Sequence, residues 1–118
     1  MASAAFAAEA VRYLDASPTP YHAVSEGCKM LQAAGFTYLS ERQAWRGNVV
    51  PGGRYFYTRN QSTLVAFTVG EKFLPGGGFK LVGAHTDSPN LKVKPVSDRT
   101  VHGFSQVGVE TYGGGLCA

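Results

Sequence analysis

Apolar residues at helical spacing predict two amphipathic helices at the start of the chain. The first is expected over residues 3–16, with Ser3 as its N-cap. The second is expected to begin at Pro20, a residue favoured in the first turn, with Thr19 as its cap, and to end at Gly35. Because each helix has one apolar stripe, the pair is expected to form one layer that covers a sheet.

Strand signals follow in the middle of the chain. The strings "RYFYTRN" (54–60) and "STLVAFTV" (62–69) are rich in aromatic and β-branched residues and are separated by a short polar turn at Asn60 and Gln61. This arrangement predicts a β-hairpin. A short strand is also predicted within "FTYLSERQAW", before the hairpin.

The string "FKLVGAHTD", residues 79–87, predicts a further strand that ends at a histidine. Its apolar residues do not alternate with polar ones, which is typical of a central strand covered on both faces. Two more strand-like pieces lie at residues 91–94 and 104–110. The order of elements favours an α/β fold with N-terminal helices packed on a mixed sheet, although an α+β arrangement remains open from the pattern alone.

Composition and charge narrow the class of protein. The 118 residues are 44% hydrophobic and 16% charged, as in a soluble globular domain. The net charge of +3 comes from scattered Lys and Arg residues, so no nucleic-acid partner is expected. No apolar run of about 20 residues stands out, so no membrane partner is expected. No signal peptide is recognised, and Cys28 and Cys117 form no disulfide framework, so a cytoplasmic protein is expected.

His85 and Asp87 are the residues with the clearest potential for chemistry. At positions i and i+2 of a strand they share one face, and at its carboxyl end that face opens on the crevice where layered α/β proteins bind ligands. Histidine can bind a metal through one ring nitrogen while a carboxylate orients the other. The alternative is a histidine that caps a backbone carbonyl, followed by a turn at Asp87, Ser88 and Pro89.

The other candidate residues have weaker support. His22 lies in the first turn of the second helix and His102 in a loop before a strand, and nothing in their spacing predicts convergence with His85. Lys92 and Lys94 share one strand face, which would suit either an acidic substrate or an ordinary solvated face. The glycine clusters match no phosphate-binding fingerprint and are expected to be loops.

Four ordered segments of the chain resemble those of the aspartyl aminopeptidases, a family of cocatalytic zinc exopeptidases. They are "YHAVSEGCKMLQAAGF", "YFYTRNQSTLVAFTVG", "GAHTDSPNLKVKP" and "QVGVETYGGG". The resemblance implies a catalytic domain of the zinc-exopeptidase type, with residues 1–118 as its N-terminal part and about 91–118 leading toward the remainder. It further implies that His85 is a zinc ligand and that Asp87 is the catalytic-site carboxylate that orients it.

The same resemblance implies a function and its limits. Members of the family remove N-terminal aspartate or glutamate from peptides with two zinc ions, and they assemble into large homo-oligomers. The other ligands and the general base of the family lie beyond the "YGGG" segment, so the chain is expected to be a truncated, inactive N-terminal fragment that supplies one matched ligand. The alternative function is a non-catalytic interaction module that associates with full-length subunits.

Overall fold

The computed structural model describes residues 2–113, which contain two helices and five strands in two compact units. The first unit, up to Thr86, contains α1 (Ala2–Asp15), α2 (Pro20–Ala33), β1 (Thr37–Tyr38), β2 (Arg54–Arg59) and β3 (Thr63–Thr68). The second unit, from Asp87, contains β4 (Leu91–Val101) and β5 (Phe104–Thr111). Cys117 and the end of the glycine-rich segment lie outside the described residues.

Both predicted helices are confirmed, and α2 has the predicted cap. Thr19 is extended, and its side-chain oxygen accepts a hydrogen bond from the His22 amide at 3.4 Å. The helix terminates before Gly35, whose φ of 81° is in the left-handed region. The prediction that Ser3 caps α1 is wrong, because that helix already begins at Ala2.

The first unit has the predicted mixed sheet, in the order β1-β2-β3. Strand β1 is parallel to β2, whereas β2 and β3 form the predicted antiparallel hairpin. The connecting turn places Asn60 and Gln61 at φ values of 52° and 55°. Asparagine tolerates this left-handed conformation better than most residues, so the local sequence suits the reversal of the chain.

Helix α2 packs on one face of the hairpin, where the core of this unit lies. Phe56 is 1% exposed and shares that face with Leu64, because their partners in the ladder are Ala66 and Thr58. A Cβ atom at Gly27 of α2 would lie 2.7 Å from the Leu64 Cδ2, so a larger residue there would force the Leu64 side chain to shift. Burying a phenylalanine in this way stabilises a fold by roughly 1.5–3 kcal/mol.

Aromatic side chains cover the other face of the hairpin. The Trp45 ring lies 5.0 Å from the Tyr57 ring and 6.4 Å from the Phe67 ring, measured between centroids. The Trp45 indole N–H donates to the Ser40 carbonyl at 2.8 Å, which satisfies the polar atom of this half-buried side chain. The connection between β1 and β2 is therefore packed onto the sheet.

The prediction of a buried central strand that ends at His85 is wrong for this structure. Residues 79–90 form no regular strand, and Phe79, Leu81 and Val82 are 88%, 92% and 97% exposed. Apolar composition indicates that a segment can be buried, but a strand also requires a neighbour for its backbone groups. Among residues 2–113, the first sheet is complete with β1, β2 and β3, and none of them pairs with residues 79–90.

The second unit is an antiparallel ribbon of β4 and β5, which confirms and lengthens the last two predicted strands. His102 and Gly103, with φ values of 51° and 80°, form its two-residue turn. The ladder is interrupted between Val93 and Asp98, where Pro95 has no N–H to donate. The register resumes so that Leu91 pairs with Thr111 at the open end of the ribbon.

The core assignment predicts very different effects for two phenylalanine truncations. Phe56→Ala is expected to lower the free energy of unfolding by about 3–5 kcal/mol, because it leaves a cavity under α2. Phe79→Ala is the matched control and is expected to change it by less than about 0.5 kcal/mol, because this side chain is 88% exposed. Urea denaturation followed by circular dichroism measures both values, and equal losses would contradict the assignment.

A second prediction concerns the ion pair between Glu41 and Arg59. The guanidinium contacts both carboxylate oxygens, at 2.5 and 3.2 Å, and lowers the pKa of Glu41 from its ordinary 4.5. Glu41 is therefore protonated more easily in the unfolded chain than in the folded one. The stabilisation of the fold by this ion pair is fully present above the ordinary pKa of Glu41, and it is lost as the pH falls through the lowered pKa of the folded chain. Glu41→Gln is expected to lower the Tm slightly at pH 7 and not at pH values well below the lowered pKa, whereas Glu71→Gln, in an exposed loop, serves as control. A Tm loss that is independent of pH would contradict this account.

Candidate metal-binding segment

His85 and Asp87 both lie in the irregular segment that links β3 to β4. His85 is exposed at the end of the first unit, and Asp87 is half-buried at the start of the second. The predicted strand end is therefore not the element that carries them. Asp87 contacts a tyrosine of the second unit, Tyr112.

Tyr112, the residue after β5, donates a hydrogen bond from its hydroxyl to Oδ2 of Asp87. Hydrogen bonds from a hydroxyl to a carboxylate are among the stronger ones in proteins. The hydrogen bond and the negative charge of Asp87, together with a smaller effect of burial, raise the pKa of Tyr112 above its ordinary 10.0. Tyr112 therefore remains a neutral donor at physiological pH.

The register of the ribbon accounts for this contact between residues 25 positions apart in sequence. Since Leu91 pairs with Thr111, the residues that precede β4 and those that follow β5 emerge side by side. Gly113 has a φ of 100°, and a Cβ atom there would lie only 2.5 Å from the Pro89 Cβ. A glycine is thus required for the two chain ends to approach this closely.

Lys92 contacts the same tyrosine from another direction. Its ammonium group lies 3.7 Å from the centroid of the Tyr112 ring, within the range of a cation–π interaction. Lys92 is exposed, which fits both a solvated face and a surface for an acidic substrate. The ring of Tyr112 is consequently held by a cation on its face and by a carboxylate at its hydroxyl.

The donor types at this segment suit zinc, but the described residues do not complete a zinc site. Imidazole nitrogen and carboxylate oxygen are ordinary zinc ligands, and structural sites take about four of them. Within residues 2–113, no group of three or more His, Cys, Asp and Glu side chains could hold a metal ion. His85 and Asp87 therefore account for part of a site at most.

The other two histidines serve local structure. The Nδ1 atom of His22 lies 2.8 Å from the Thr19 hydroxyl oxygen, at the cap of α2. His102 occupies the left-handed position in the ribbon turn. Within residues 2–113, neither His22 nor His102 belongs to a group of three or more side chains that could hold a metal ion.

Comparison with known proteins places the chain in a family. Residues 13–118 match the sequence profile described as Aminopeptidase I zinc metalloprotease (M18). The chain belongs to this M18 metallopeptidase family. The aspartyl aminopeptidase resemblance drawn from the four segments is thereby confirmed at the level of the family.

Similar proteins include aspartyl aminopeptidases from two organisms. The Aspergillus oryzae protein is 52% identical over 104 residues, covering 88% of this chain and 21% of the relative, and that of Dictyostelium discoideum is 54% identical over 110 residues, covering 93% and 22%. The solved mApe1 dodecamer of Saccharomyces cerevisiae has a TM-score of 0.78 at 34% identity, covering 94% of this chain and 26% of that one. The α/β class is thus confirmed. The chain spans about a fifth of the length of these curated relatives.

Sequence reasoning did not assign a role to Tyr112. The residue was visible within "VETYGGG", one of the segments that resemble the family, beside glycines that allow close backbone approach. Its contact with Asp87 depends on which residues of β4 and β5 pair, and that register cannot be read from the sequence around either residue. The signal available in the sequence was a tyrosine followed directly by three glycines.

The incomplete ligand set predicts weak zinc binding by the 118-residue chain. Equilibrium dialysis is expected to give partial, non-saturating occupancy, since one matched histidine and one carboxylate leave the metal largely hydrated. His22→Ala is the matched control, because that histidine is also exposed but lies in the first turn of α2, beside the Thr19 hydroxyl. One tightly held zinc per chain, lost in His85→Ala and retained in His22→Ala, would contradict this prediction.

Proposed function

We propose that this chain is the N-terminal part of a zinc aminopeptidase that releases aspartate or glutamate from the N-terminus of peptides. The observation that carries the proposal is the family match over residues 13–118, which includes the segment with His85 and Asp87. The curated relatives named as aspartyl aminopeptidases support the substrate class. Residues 1–118 alone are proposed to be inactive.

The roles proposed for the two residues follow from their chemistry. His85 is exposed and offers an imidazole nitrogen as a zinc ligand. Asp87 is the carboxylate that orients this histidine, and its own orientation is supported by Tyr112. A complete family site is proposed to contain two zinc ions, which activate water and polarise the scissile carbonyl when bound.

The proposal extends to assembly and location. The structural neighbour from Saccharomyces cerevisiae is a dodecamer, which supports a homo-oligomer for the complete protein. Among the described residues, no helix is both long enough and apolar enough to cross a bilayer. We further propose a cytoplasmic location, with peptides that carry an acidic N-terminal residue as its partners and without a nucleic-acid partner, because the Lys and Arg residues are scattered along the sequence.

The test compares the 118-residue chain with a chain extended to the length of its curated relatives. With zinc, the short chain is expected to release no aspartate from a peptide N-terminus, whereas the extended chain releases it. His85→Ala in the extended chain is expected to lower kcat/KM by at least about a hundredfold, since even indirect partners of a metal site contribute 10- to 100-fold. Release of aspartate is measured by chromatography of the products.

His22→Ala in the extended chain is the matched control and is expected to retain activity. Metal-dependent turnover by the short chain, abolished by His85→Ala and persisting through repurification, would overturn the proposal that it is inactive. An extended chain that retains full activity after His85→Ala would overturn the assignment of the ligand. Co-purification of an inactive short chain with extended subunits would instead favour the interaction module.

A further inference from the structure

We propose that Tyr112 is a positioning residue that fixes the orientation of the Asp87 carboxylate. The inference rests on the proposed function, in which Asp87 orients the zinc ligand His85. Tyr112 acts through Asp87 and needs no contact with zinc or substrate. The contacts that carry the inference all lie within the β4–β5 unit.

The first argument is the contact between donor and acceptor. The Tyr112 hydroxyl donates to Oδ2 of Asp87, which is one of two oxygens on that carboxylate. An ionised carboxylate has about four acceptor sites, so it can accept from Tyr112 and also orient a histidine. Carboxylates near metal sites are commonly held by a further hydrogen bond of this kind.

The second argument is that the donor is itself held in place. The Lys92 ammonium lies 3.7 Å from the centre of the Tyr112 ring, and this interaction restricts where the ring can lie. Tyr112 is 40% exposed, so the effect of the hydrogen bond is reduced by competition with water.

The third argument is that the backbone brings the two residues together. The absence of a side chain on Gly113 allows Pro89 to approach, and the pairing of Leu91 with Thr111 sets the level at which the two ends meet. Asp87 and Tyr112 are therefore neighbours because of the ribbon. A phenylalanine at position 112 would preserve the ring and remove only the donor.

The experiment measures the orientation of Asp87 by NMR in the isotope-labelled 118-residue chain without metal. Side-chain couplings give the Asp87 χ1 rotamers, and a hydrogen–deuterium isotope shift on Cγ reports the hydrogen bond. In Tyr112→Phe the ratio of major to minor Asp87 rotamers is expected to fall about threefold to tenfold. This is the preference expected from a hydrogen bond to a charged group that is weakened by competition with water. The isotope shift is expected to disappear.

Controls separate positioning from a general structural role. Tyr21→Phe removes the hydroxyl of a tyrosine that is 61% exposed on α2, and it is expected to leave Asp87 unchanged. Amide exchange in β4 and β5 is expected to change less than about twofold in Tyr112→Phe, because the strand pairing does not involve the phenol. Unchanged Asp87 rotamers, rotamers already averaged in the wild-type chain, or melting of the ribbon in Tyr112→Phe would each overturn the inference.

A separate measurement distinguishes failure of the inference from failure of the proposed function. Zinc is added to the same samples while the ring signals of His85 are followed. An Asp87 that depends on Tyr112, together with a His85 that does not respond to zinc, would count against the proposed ligand and leave the positioning role intact. A His85 that responds to zinc, together with an Asp87 indifferent to Tyr112, would overturn the positioning role alone.

Discussion

Backbone hydrogen bonding between neighbouring strands determines which parts of this chain are ordered as sheets. Strands β2 and β3 pair as one hairpin, and β4 and β5 pair as another. In both hairpins, a strand pairs with the strand that follows it in sequence. Pairing of strands that are consecutive in sequence closes only a short loop, so it costs little conformational entropy. Helix α2 then covers one face of the first hairpin, where Phe56 is buried and Gly27 permits contact with Leu64.

The same requirement accounts for the segment that contains the candidate ligand. Residues 79–85 are apolar enough for a buried strand, yet they have no paired strand among residues 2–113. The candidate zinc site faces a comparable limit, because the one matched ligand His85 and its neighbour Asp87 cannot fill about four coordination positions. A buried strand and a zinc site each require groups that the described residues do not provide.

The contacts of Asp87 illustrate how a ribbon can contribute to a site that a local motif only suggests. His85 and Asp87 are two residues apart, and their chemistry is evident from their types alone. Tyr112 and Lys92 contribute through the ribbon, the first by donating to the carboxylate and the second by resting over the tyrosine ring. Under the proposed function, this arrangement links the geometry of the β4–β5 ribbon to the orientation of the Asp87 carboxylate.

The sequence by itself determined the helices, the first hairpin, the approximate positions of the last two strands, the family and the candidate residues, because these depend on local spacing, turn chemistry and ordered motifs. Thr19 caps α2 and His102 lies in the ribbon turn for reasons visible within a few residues. Only the tertiary structure decided that residues 79–85 are exposed and that Tyr112 contacts Asp87. Both outcomes depend on which strands pair and in what register, and hydrophobic pattern alone specifies neither for residues distant in sequence.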